Sequence, residues 1–132
     1  MISAHSYCIE GIRLTKKKRN HHITGESIGF ADSNDTDFES IFSRQIQGLG
    51  KRSDVLVGIS TSGNSENVIA AVRQAKYKKL KTIIFTGAEG GRISGLADIT
   101  VYIPSKNTQR IQEGHIMLGQ IICGLIEEEF LN

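Results

Sequence analysis

Three short apolar runs, each bounded by polar or glycine-rich stretches, set the rhythm of this chain: DVLVGI at 54–59, TIIFT at 82–86 and ITVYI at 99–103. Runs of this length, rich in β-branched residues, read as buried strands. Between the first two lies SENVIAAVRQAKYK (65–78), where Val68, Ala71, Val72 and Ala75 recur at helical spacing, so an amphipathic helix is predicted. Asp37 is a candidate N-cap for a second helix over 38–48, which places Phe38, Ile41, Phe42, Ile46 and Leu49 near one face. Gly87 breaks the second strand, Gly90-Gly91 precede a short helix at about 91–96, and Pro104 stops the third strand. From about 108 to 130 a long helix gathers Ile111, His115, Leu118, Ile122, Leu125 and Ile126 on one side. The first third is less regular. Residues 3–14 read as a helix of mixed periodicity, Lys16-Lys17-Lys18-Arg19 as its solvated end, His21-His22 as a loop pair, and SIGFA (27–31) as a short strand.

Strands alternating with helices at this spacing imply an α/β fold, a parallel sheet with helices on its faces. Ligands of such sheets bind beyond the carboxyl ends of the strands. The length, 132 residues, suits one domain. No apolar stretch approaches a membrane span, and no signal peptide opens the chain. Cys8 and Cys123 stand far apart in no metal or redox spacing and read as reduced thiols, which points to the cytoplasm. A net charge of +2 is weak, and no aromatics interleave with the basic run at 16–19, which argues against a nucleic-acid partner.

The chemistry concentrates in GISTSGNSENV (58–68), where a strand gives way to a helix. An N-cap needs one hydroxyl or amide; Ser60, Thr61, Ser62, Asn64 and Ser65 supply far more. The helix N-terminus offers N–H groups and the positive end of its dipole, and the glycine lets backbone approach a ligand closely. An anion, phosphate above all, fits such a place. Neither a GK[ST] sequence nor G-x-G-x-x-G accompanies it, so no nucleotide cofactor is implied.

DVLVGISTSGNSENVIAAVRQAK closely resembles the phosphate loop of sugar isomerase (SIS) domains. TGAEGGRISGLADITVYIPS, NTQRIQEGHIMLGQIICGLIEEEF and NDTDFESIFSRQIQGLG resemble its phosphoheptose isomerase branch. The resemblance is dense from about residue 34 to the end. It implies a single SIS domain over 1–132, a three-layer αβα sandwich with a parallel sheet of flavodoxin-like order, and a homotetramer. The implied activity converts sedoheptulose 7-phosphate to a manno-heptose 7-phosphate for bacterial surface polysaccharide. By the same resemblance Ser60, Thr61, Ser62 and Ser65 hold the sugar phosphate, and Asp35 and Gln112 contact the sugar. Glu10 falls on the family's catalytic glutamate, and zinc, found in some members, would meet Glu10, Gln112 and Gln120.

The departures matter as much. The family's catalytic histidine, eight residues after the Gln of RIQE, is here Gln120, which cannot titrate. His115, one turn after Gln112, reads either as a substitute proton donor or as a packing histidine. A zinc-binding histidine is replaced by Ser6, with His5 turned about 100° away on a helix. Amide oxygens are poor zinc ligands, so the metal site is weak. The family's first helix and first strand are not matched, and a missing central strand leaves unpaired edges that favour association. Two functions stand: a phosphoheptose isomerase, or a non-catalytic SIS binding protein resembling the tetrameric replication-initiator-associating protein.

Overall fold

In a computed structural model the described residues are 11–16, 19–24 and 38–131. Glu10, Asp35, Asp37, Cys8, His5, Ser6, Lys17, Lys18 and the strand expected at 27–31 lie outside them. The elements run β1 (Gly11–Lys16), β2 (Arg19–Thr24), a single 3-10 turn (Phe38–Ser40), α1 (Ile41–Leu49), β3 (Val55–Ile59), α2 (Glu66–Tyr77), β4 (Lys81–Thr86), β5 (Ile99–Tyr102) and α3 (Thr108–Leu131).

The sheet order is β2-β1-β3-β4-β5. β3, β4 and β5 are parallel, as the βαβ rhythm requires. β1 and β2 correct two expectations. Residues 11–14 are strand, not the end of a helix, and His21-His22 lie in β2, not in a loop. Lys16 and Arg19, the outer members of the basic run, pair with each other where the two strands meet. The physical reason is the open edge of β3: a strand laid antiparallel along it satisfies the backbone, and a hairpin needs no crossover helix. The sheet is therefore mixed and five-stranded, with β1 paired antiparallel to β3 from Gly11↔Ile59 to Thr15↔Val55.

Three layers result. Along a strand, successive side chains face opposite sides. Leu56 and Ile84 are fully buried with Ile41, Ile46, Val68 and Val72 between the sheet and the α1–α2 pair. Each such aliphatic contributes about 1.5–3 kcal/mol by leaving water. Gly58 exists for this contact: a Cβ there would lie 2.5 Å from Ile84 Cδ1 and 3.3 Å from Val68 Cγ1. Phe85, next to Ile84, faces the other side and meets α3 through His115, ring centroids 6.0 Å apart.

One further expectation fails. Residues 91–96 form turns, not a short helix, because Gly90 and Gly91 both sit at positive φ. Of the apolar side assigned to the long helix, only Ile111 and His115 are buried; Leu125 is 60% exposed, and Leu49 on α1 is 49% exposed. Among the described residues, no helix is long and apolar enough to cross a membrane.

Candidate functional site

β3 delivers the hydroxyl loop at its carboxyl end. The ladder continues one step past the strand, where the Ser60 N–H donates to the Phe85 carbonyl at 3.0 Å. Ser60 is fully buried, and its Oγ accepts the Gly63 N–H at 3.1 Å while sharing a hydrogen bond with Ser65 Oγ at 3.1 Å. Its hydroxyl thus closes the loop. Thr61 and Ser65 are half-buried, and Ser62 and Asn64 are exposed. Ser65 occupies the N-cap position of α2 but makes no side-chain cap bond to it. The hydroxyl that ordinarily serves a helix is directed across the loop instead.

The loop is braced by the connection between β4 and β5. Thr61 O accepts the Gly87 N–H at 3.1 Å, and Gly63 O accepts the Ile93 N–H at 3.0 Å. Asn64 donates from Nδ2 to Ser62 O at 3.3 Å and accepts the Arg92 N–H on Oδ1 at 3.0 Å. Gly63, Gly90 and Gly91 interlock at positive φ, backbone against backbone. The sequence reading missed this brace. Its signal was the pair of glycine sites, S-G-N and E-G-G-R, which cannot be matched to each other without the fold.

α3 closes the third side. Asn107 caps it, accepting the Gln109 N–H at 3.0 Å and the Arg110 N–H at 3.3 Å. Ile111 packs on Gly87, where a Cβ would lie 2.7 Å from Ile111 Cδ1 and 2.8 Å from Thr61 O. Gln112 follows directly and is half-buried, so the structure brings it to the loop's end of the sheet. Gln120 is exposed, about 12 Å further along the helix axis. The remaining element at this pole is β1: Gly11, the residue after Glu10, pairs with Ile59, the residue before Ser60.

His115 is 3% exposed, and its Nε2–H donates to the Thr86 carbonyl at 3.2 Å. That bond fixes the tautomer, leaving Nδ1 as a buried acceptor with no hydrogen-bond partner among the described residues. Burial holds its pKa below the usual imidazole value of 6.5, against the smaller opposing effect of the Thr86 carbonyl. The ring packs; it does not face solvent. The sign of its linkage follows. Below about pH 6.5 the unfolded chain takes up a proton that the folded chain resists, so stability falls as pH drops through that value. We expect denaturant midpoints to decline from pH 7 to pH 5.5, and His115→Gln to flatten that decline. An unchanged slope in the variant would assign the decline to other groups.

Parallel strands β3, β4 and β5, with a hydroxyl-rich loop leading from β3 into the N-terminus of α2, define an α/β domain whose loop suits an anion. The SIS domain pattern matches residues 25–118, and the chain belongs to the SIS domain family. Its relatives narrow the comparison. It is 53% identical over 100 residues to the phosphoheptose isomerase of a Nitratiruptor species, covering 76% of this chain and 54% of that protein. It is 49% identical over 105 residues to that of Aneurinibacillus thermoaerophilus, covering 80% and 53%. The phosphoheptose isomerase structure from Neisseria gonorrhoeae superposes with a TM-score of 0.74 at 44% identity, over 78% of this chain and 59% of that one. The chain thus spans about half the length of the curated relatives it matches.

Proposed function

We propose that this chain forms the phosphate-holding half of a sugar-phosphate isomerase acting on sedoheptulose 7-phosphate. The observation that carries the reading is the hydroxyl-rich loop between β3 and the N-terminus of α2, held by backbone hydrogen bonds to the β4–β5 connection. In this reading Thr61, Ser62 and Ser65 donate to the phosphate, Ser60 shapes the loop, and α2 contributes its dipole. Gln112 and Asp35 contact the sugar. Interconversion of ketose and aldose takes a proton from one carbon, passes through an enediol, and returns a proton to the neighbouring carbon. Glu10 is the base, by its match to the family's catalytic glutamate. Glu10, Gln112 and Gln120 make a poor zinc set, and no step is drawn through a metal. The product is a manno-heptose 7-phosphate for surface polysaccharide. The setting is the cytoplasm, and the assembly a homo-oligomer, a tetramer by family. Domain limits of 1–132 belong to the same proposal.

NMR of the purified protein with sedoheptulose 7-phosphate in deuterated water tests it. We expect deuterium at the reacting carbon and aldose product. Gln120→His restores a titrating group where the resemblance places one, and is expected to raise turnover about 10²-fold. Binding shifts without exchange, unrescued by Gln120→His, would favour the non-catalytic SIS binding protein.

A further inference from the structure

The hydroxyl loop has no cationic side chain of its own, yet a sugar phosphate arrives as an anion. Arg92 is the cation that the described hydrogen bonds tie to this loop. Its N–H donates to Asn64 Oδ1, and the next residue, Ile93, donates to Gly63 O. Its Cα is therefore fixed beside the loop by bonds that do not involve its side chain. The guanidinium pairs with Glu66, the first residue of α2. A carboxylate there suits the helix dipole, but it competes with any anion seated on the same N-terminus. The paired side chains are 57% and 44% exposed, so the bridge is weak and exchangeable. A phosphate offers the guanidinium a bidentate partner of higher charge.

We propose that Arg92 is a further phosphate contact: Glu66 holds the guanidinium beside the loop, and the bound anion takes it over. This rests on the phosphate reading of the loop. Glu66 then acts as a negative element that an anion must displace, and Arg92 as the residue that rewards phosphate over neutral sugars.

The two partners give opposite signs. Titrate wild type, Arg92→Gln, Arg92→Lys and Glu66→Gln with inorganic phosphate and with sedoheptulose 7-phosphate, following amide shifts of residues 60–66. Arg92→Gln is expected to weaken binding about tenfold, and Arg92→Lys to recover part of that loss. Glu66→Gln is expected to tighten binding about threefold. A bridge that merely shapes the loop would make Arg92→Gln and Glu66→Gln weaken binding alike. That outcome, or Arg92→Gln binding as wild type does, overturns the assignment. Wild type that binds neither ligand overturns the phosphate reading, and this inference with it.

Discussion

Gly63→Ala is expected to abolish phosphate binding and to lower stability by about 2–4 kcal/mol. Gly63 has φ of 68°, where an L side chain is strained, and its Cβ would run into the Gly90 carbonyl. That neighbour is backbone, so it cannot swing aside as a side-chain tip would. Relief requires the β4–β5 connection to withdraw, which breaks the Ile93–Gly63 and Arg92–Asn64 hydrogen bonds together. Gly48→Ala is the control. It lies within α1, nothing stands within 4 Å of its Cβ, and the change is expected to gain up to about 1 kcal/mol from helix propensity. Chemical denaturation and a phosphate titration on both variants decide it. A Gly63→Ala protein as stable as wild type would mean the interlock is looser than drawn.

The second large effect is association. α3 leaves Met117, Ile121 and Leu125 60%, 51% and 60% exposed at helical spacing, with Phe130 64% exposed beyond them. Monomers rarely present so continuous an apolar surface to water. We expect a melting temperature that rises with protein concentration and a hydrodynamic size above that of a 132-residue chain. Ile121→Lys with Leu125→Lys should yield monomer and remove the concentration dependence. A sharp, concentration-independent melt of wild-type monomer would sink the expectation.

The same helix shows where sequence reading stops. Periodicity identified which α3 residues share a face, but not whether anything covers that face; Ile111 and His115 are buried, while Leu125 on the same side is exposed. On α2 the inference succeeded, because Val68, Ala71, Val72 and Ala75 meet β3, β4 and α1 from the same chain. β3 and β4 were legible because interior parallel strands are written as plain apolar runs, and β5, an edge strand with no buried residue, through its β-branched and aromatic composition. The hairpin was not: RNHHIT has no apolar alternation, and its strand state comes from pairing with β1. In the site, the hydroxyl loop announced itself through composition. The burial of Ser60 and the brace from Gly90 to Ile93 depend on which backbone lies behind the loop, which no local pattern records.

The antiparallel course of β1 also has an electrostatic consequence. Gly11 lies at the loop's pole and Lys16 at the opposite one, five residues along the strand. At about 3.4 Å per residue that is roughly 17 Å. The Debye length at physiological ionic strength is about 8 Å, so the two ends of β1 lie some two decay lengths apart. A charge at the far end of the sheet is therefore largely screened from a ligand at the loop. Under the proposed phosphate reading, the salt dependence of binding should come from Arg92 and Glu66 at the loop and not from the far end of the sheet.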